Sequence, residues 1–170
     1  IAFLDADDAW HPEKLAEHMA VLDARPDVGL TFSWSRMIDD DGCDLGLTQK
    51  PSTRDFTPEA VFCRSPVGNG WAPVIRRATL DAIAFFDDKR GRMAWFDEDF
   101  RQSEDIECCT RIVATTLWGV ATIERPLTDY RISQGGLSAN TDKQHESWQR
   151  FRAKAKLKPV TVGGVVVSNA

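Results

Sequence analysis

Apolar and polar positions follow two rhythms along the chain, and the switches between them predict its elements. "IAFL", Ile1 to Leu4, is apolar throughout, the pattern of a buried parallel strand. It runs into an acidic cluster, Asp5, Asp7 and Asp8, and then into a helix whose first turn holds Pro12. Leu15, Ala16, Met19 and Leu22 give that helix an apolar stripe, and "ARPD" at Ala24 to Asp27 stops it. "VGLTFSWSRMI", Val28 to Ile38, alternates and is rich in Val, Thr, Phe and Trp, so it predicts a second strand, and "DDDG" at Asp39 to Gly42 a turn. From Asp44 to Trp71 the pattern loosens. Its clearest element is a short helix opened by "TPEAVF", with Thr57 as N-cap and Pro58 behind it.

Beyond that stretch, "SPVGNGWAP" predicts a loop, "VIRRATLDAIAFF" a strand end and a helix, and "DDKRGRMAWFDEDFRQ" a polar loop. "SEDIECCTRIVATTLWG" predicts a helix capped by Ser103 and closed by Gly119. Glu104 and Asp105 sit at its positive end, and Ile106, Cys109, Ile112, Val113 and Leu117 form its apolar face. "VATIE" and "LTDYRIS" predict two strands. A Gly turn follows, then a polar helix, "TDKQHESWQRFRAKAKLK", basic toward its end. "PVTVGGVVVSNA" shows no partner and is expected to fray. Strands alternating with helices place the chain in the α/β class.

Composition narrows the field only modestly. The 170 residues suffice for one domain with a core, and 42% hydrophobic with 28% charged residues is ordinary globular composition. A net charge of -5 argues against a nucleic-acid binder, which presents a basic face. No run of 18 apolar residues predicts a membrane span, and no basic region precedes Ile1 as in a secretory leader. Cys43, Cys63, Cys108 and Cys109 form neither a zinc pattern nor a disulfide framework, which suits reduced thiols in the cytosol. His11, His18 and His145 have no ligand spacing.

The acidic cluster carries the candidate chemistry. Asp-x-Asp at the end of a strand puts two carboxylates beside the crevice where α/β proteins bind ligands. Two hard oxygen ligands suit Mg²⁺ or Mn²⁺, which leave other positions to water and phosphate oxygens. The plain alternative is a solvated acidic turn. Haloacid-dehalogenase-like phosphatases also open on such a motif, with the first Asp, here Asp5, as nucleophile. Their motif continues Gly-Thr-Leu rather than Asp8-Ala9-Trp10, and their later Lys and acidic pair have no match here.

"FLDADDAWHPEKL" more closely resembles the Asp-x-Asp segment of family 2 glycosyltransferases, which have the GT-A fold: an apolar strand, Asp-x-Asp-Asp, an aromatic, then Pro-x-x-Leu. The resemblance implies that Asp5 and Asp7 bind the ribose and diphosphate of a nucleotide sugar through a divalent cation, with Asp7 the metal ligand. "SEDIECCTRI" resembles the family's Glu-Asp motif at a helix start, which makes Asp105 the general base and Glu104 its supporting neighbour. A sugar hydroxyl is a poor nucleophile until a carboxylate accepts its proton. Without the resemblance, Glu104, Asp105 and Glu107 would simply complement a helix N-terminus. "DYRISQGGLSAN" resembles a third segment, in which Arg131 can meet the diphosphate or form a surface ion pair, and Ser133 stands where many members have a histidine. "GNGWAPVIRR" occupies the region of the acceptor pocket, where Asn69 and Trp71 can meet a sugar, or Trp71 can serve as core.

The resemblance covers residues 1–140, the C-terminal portion of a GT-A domain, with 141–170 a C-terminal helix and tail. The segment that precedes the Asp-x-Asp strand in the family has no match, so the expected fold is a partial GT-A domain, Rossmann-like, with a mixed sheet and flanking helices, truncated at its N-terminus. The isolated chain is expected to be weakly active or inactive. The implied reaction is inverting transfer of a sugar from a nucleoside-diphosphate sugar to a hydroxyl of a carbohydrate or lipid-linked acceptor, in polysaccharide or glycoconjugate synthesis. The implied location is cytoplasmic, at the inner face of the membrane. Arg150, Arg152, Lys154, Lys156 and Lys158 of the late helix can approach anionic lipid there, or simply face water. The other expectations are the phosphatase and a non-catalytic remnant or binding module.

Overall fold

The computed structural model describes residues 1–52, 67–100 and 102–133 and, toward the C-terminus, 145–147, 149–151, 153–154, 160–162 and 165–167. In chain order the elements are β1 (Ala9–Trp10), α1 (Lys14–Ala24), β2 (Val28–Ile38), β3 (Asp44–Gln49), β4 (Val74–Ile75) and α2 (Arg77–Ala82). They continue with β5 (Phe85–Asp87), β6 (Arg92–Ala94), α3 (Glu104–Thr115), β7 (Gly119–Arg131), β8 (Val160–Val162) and β9 (Val165–Val167). The predicted helix at Thr57 lies outside the described residues.

The protein is mixed α/β. Strands β1, β7, β2 and β3 lie side by side in one sheet, and β4 also pairs with β2. The long pair β2–β7 is parallel, and β1–β7, β2–β3 and β2–β4 are antiparallel. β2 is buried along most of its length because helices cover both of its faces. Leu30 and Phe32 pack with Ile75, Leu80, Ile83, Cys108, Cys109 and Ile112, on the side of α2 and α3. Thr31, one residue over and therefore on the opposite face, hydrogen-bonds His18 of α1 at 2.8 Å. Leu22, Val28, Val74 and Ala121 form a smaller cluster beside α1.

Several expectations are corrected. Residues 1–4 do not form a parallel strand: Ala2 makes one antiparallel bridge to Val74, and Leu4 is exposed. Phe3 packs edge-on against Phe96. The buried face of α1 is Lys14, His18 and Leu22, while Leu15 and Met19 are exposed. The stripe is rotated because partners inside the fold take all three Lys14 donors and one ring nitrogen of His18. Ser103 makes no side-chain cap, Gly119 opens β7 rather than closing α3, and Leu117 is exposed. The two strands expected around Pro126 are one strand with a register shift, since Ser33 pairs with Ile123 and Trp34 with Pro126. Proline has no N–H for the ladder, so the chain bulges there. Arg125, thrown outward, pairs with Glu13 and Glu17 of α1.

The expected polar loop opens as the turn of a hairpin, β5–β6, which begins at Phe85; Gly91 makes that turn at φ 66° with its N–H bonded to Asp87 O at 2.7 Å. The tail is not frayed throughout: β8 and β9 pair antiparallel, with Gly163-Gly164 between them in the sequence. Helical residues in 145–154 join the same body. Phe151 is buried, and Lys154 Nζ donates to Glu107 Oε1 at 2.7 Å and to Asp97.

Candidate functional site

β2 and β7 run parallel and end together at Ile38 and Arg131, so their carboxyl ends define one edge of the sheet. The acidic loop 5–8 is held at that edge. β1, directly after it, pairs Ala9 with Asp129 and Trp10 with Thr128. Arg131 pins the loop from β7: its backbone N–H donates to Asp8 Oδ1 at 2.8 Å and its Nε to Asp7 O at 2.7 Å. Its Nη1 donates to Asp39 O and to Asp40 O, the latter at 2.9 Å, which ties in the β2–β3 turn. Arg131 thus lies beside the acidic loop as a backbone staple, with three of its donor bonds on carbonyls. Arg36 grips Asp129 bidentately, both contacts at 2.8 Å, and keeps the two strand ends together. Ser133 donates to Asp40 Oδ1, and the Gly/Ser-rich segment that follows it lies outside the described residues.

Glu104 and Asp105, some 100 residues away in sequence, are brought to the same edge. Ser103 precedes them at φ 66°, the one non-glycine residue with positive φ among those described. This is a strained conformation for a side chain-bearing residue, and it turns the chain directly into α3. Asp105 packs against Gly70: a Cβ on Gly70 would lie 3.0 Å from Asp105 Cβ and 3.1 Å from its Oδ2. The next residue, Trp71, gives a side-chain hydrogen bond to Asp5.

The electrostatics record this convergence. The Asp5 carboxyl is raised above its ordinary range by desolvation first, then by Asp7 and Glu104. Asp105 is pushed up to about 6, chiefly by desolvation, with Glu104 and Asp5 adding repulsion. Asp8 is also raised to about 6, by desolvation first, against the lowering effect of the Arg131 N–H. Asp8 Oδ2 and Glu104 Oε2 are buried without a hydrogen-bond partner. Asp7 stands exposed at the loop tip. Like charges crowded together with unpartnered oxygens favour a cation or a proton.

Asn69 and Trp71 line the same loop but differ in what they leave free. The Asn69 carboxamide donates to Ser35 Oγ at 2.7 Å and accepts from the Trp71 N–H at 3.2 Å, so it organises the loop internally. Trp71 is half-buried beside Asp5.

Two residues of this edge had no role assigned from the sequence. Gly70 supplies the space Asp105 occupies. Lys14, wholly buried, donates to Trp71 O at 2.6 Å, Ala72 O at 3.2 Å and Thr128 Oγ1 at 2.6 Å. The available signal was spacing: Lys14, His18 and Leu22 recur every four residues, an equally good helical stripe to the apolar one.

Among the described residues no group of three or more His, Cys, Asp or Glu is placed to hold a metal ion. A hard cation that completes its shell with water and phosphate oxygens takes only one or two carboxylates, the number that Asp5 and Asp7 offer. Among the described residues no helix is long and apolar enough to cross a membrane. No protein-family model and no curated protein matches the chain.

Proposed function

We propose that the chain carries the donor-diphosphate and catalytic end of an inverting glycosyltransferase with a GT-A type fold. The observation that carries this is the convergence of two acidic motifs distant in sequence. Asp5, beside Asp7, feels Glu104, and Asp105 feels Asp5, across a loop whose Gly70 touches Asp105 and whose Trp71 bonds Asp5. A solvated turn and an ordinary helix N-terminus have no reason to share one pocket edge.

Asp5 and Asp7 would hold Mg²⁺ or Mn²⁺, which when bound offsets charge on the departing diphosphate. Asp105 accepts the proton of an acceptor hydroxyl as it attacks the anomeric carbon. A carboxyl raised to about 6 is ionised at neutral pH yet a stronger base than an ordinary aspartate, which suits that role. Glu104, adjacent, supports that basicity by repulsion. A single displacement at the anomeric carbon inverts its configuration, and one base suffices. Trp71 offers an aromatic face to the acceptor, a carbohydrate or a lipid-linked sugar in polysaccharide or glycoconjugate synthesis at the cytoplasmic face of a membrane.

The phosphatase alternative gains no support from Lys14, whose three N–H donors are all engaged by protein oxygens. The test is turnover of nucleoside-diphosphate sugars by the full-length protein and its Asp105→Asn variant. Turnover should fall about 10²–10⁴-fold, the usual range for a lost general base, with donor affinity kept. Equal loss of donor affinity removes Asp105 from the role, and aryl phosphate hydrolysis abolished by Asp5→Asn would favour the phosphatase.

A further inference from the structure

Lys14 is among the largest wholly buried side chains of the described residues, and the chemistry above does not use it. An ammonium has three N–H donors, and here each meets an oxygen: two on successive carbonyls of the 69–72 loop, Trp71 and Ala72, and one on the Thr128 hydroxyl of β7. The Trp10 ring lies 5.0 Å from the same nitrogen. Asp8 is the opposite charge that acts on it, and His18, one turn further along the same buried face of α1, feels the lysine in turn. One side chain of α1 therefore joins β7 to the loop that touches both halves of the acidic site.

We propose that Lys14 is a positioning residue of the acidic site, its ammonium anchoring the 69–72 loop to β7 so that Gly70 and Trp71 hold Asp105 and Asp5 in place. The physical demand is specific. Loop carbonyls that face inward need donors, because a buried carbonyl left unpaired gives up its bond to water and gains nothing in return. A methionine of similar length fills the space and donates nothing. Released from Lys14, the loop is free to shift, and with it the hydrogen bond from Trp71 to Asp5 and the surface against which Asp105 packs. The proposal rests on the glycosyltransferase reading for the identity of the ligand, but not for the placement of the loop.

The experiment uses the ¹⁵N-labelled chain and follows the Trp71 indole signal, identified by its loss in Trp71→Phe, and the Gly70 amide. Lys14→Met should move both signals, and Thr128→Val, which removes one acceptor and keeps the lysine, should move them in the same direction by less. Leu22→Ala, which loosens the same face of α1 without touching the loop, should move neither. Binding of Mn²⁺ with inorganic pyrophosphate should weaken about tenfold in Lys14→Met, the lower end of what losing a group that orients metal-binding carboxylates costs. Where Lys14→Met does not fold, Thr128→Val decides. Unmoved Trp71 and Gly70 signals in the folded variants, or an equal response to Leu22→Ala, overturn the proposal. Absence of pyrophosphate binding by the unmodified chain counts instead against the glycosyltransferase reading, and the two resonances still decide the role of Lys14.

Discussion

Gly70→Ala tests the geometry of the site with a single methyl group. The added Cβ would stand 3.0 Å from Asp105 Cβ, 3.1 Å from its Oδ2 and 3.3 Å from its Cγ. Carbon atoms in contact prefer about 3.5–4.0 Å, so roughly 0.5–1 Å must be found. The helix carrying Asp105 cannot retreat, because Cys108, Cys109 and Ile112 seat it in the main core. The Asp105 side chain or the 69–72 loop must yield. Overpacking of this kind costs about 1–3 kcal/mol. Gly70 does not have a positive φ, so alanine fits its backbone and restricts the unfolded chain, which returns about 0.4–1 kcal/mol. The net loss is about 1 kcal/mol, which in a chain of this size lowers the Tm by about 2–4 °C. If Asp105 is the base, turnover falls disproportionately, by about tenfold for half an ångström. Denaturant unfolding of the chain and turnover of the full-length protein, measured side by side, separate the two effects. A Gly70→Ala variant more stable than the parent by the full backbone gain would show that Asp105 does not lie against Gly70. Undiminished turnover would show that the contact does not matter to catalysis.

Two further outcomes follow from the packing and electrostatics of the fold. Asp8 and Asp105 have folded-state values raised to about 6, so between about pH 4 and pH 6 the folded chain binds protons that the unfolded chain has released, and stability falls as pH rises through that window. Asp8→Asn should therefore be more stable than the parent at pH 7, by about 1 kcal/mol once the shift is discounted for a half-exposed carboxyl, and lose its advantage toward pH 4; a constant difference across that range would contradict the assignment. Gly29→Ala should cost about 3 kcal/mol or more in urea unfolding, because a Cβ there would lie 2.3 Å from Thr79 Oγ1 and 2.7 Å from Trp118 Cβ; a loss under about 1 kcal/mol would refute that packing.

The parts of the fold legible in the sequence were those with a long, consistent period. β2 has the predicted bounds, Val28 to Ile38, and α3 begins at Glu104, the first residue after its predicted cap. Elements set by pairing were not legible. β5–β6 is two three-residue strands joined by a polar turn, which Arg90–Asp87 and a left-handed Gly91 staple, and it exposes Phe86 and Met93, so no alternation marks it. The face of α1 was misjudged because burial followed hydrogen-bond satisfaction rather than hydropathy. Lys14 is buried because Trp71, Ala72 and Thr128 receive its protons, and those partners are 57 to 114 residues away. At the site, the acidic residues stood out singly. That Asp5 and Asp105 face one another depends on Gly70, whose importance lies in a side chain it lacks.

The basic C-terminal helix illustrates the same limit. Its lysines suggested a surface for anionic lipid, yet Lys154 turns inward to Asp97 and Glu107 and lies over the rings of Phe85 and Phe100. Arg150 reaches the Asp99 carbonyl at 3.3 Å. Arg152, Lys156 and Lys158 have no described side-chain placement.

The central claim is that Asp5 and Asp7 form the diphosphate end of a cation-dependent site. Calorimetric titration of inorganic pyrophosphate into the chain, with and without Mn²⁺, tests it most directly, using Asp7→Asn as the disrupted site and Asp99→Asn as an acidic control. The account predicts binding that requires Mn²⁺, is lost in Asp7→Asn and is unchanged in Asp99→Asn. Binding that persists in Asp7→Asn, or that is indifferent to Mn²⁺, would contradict it.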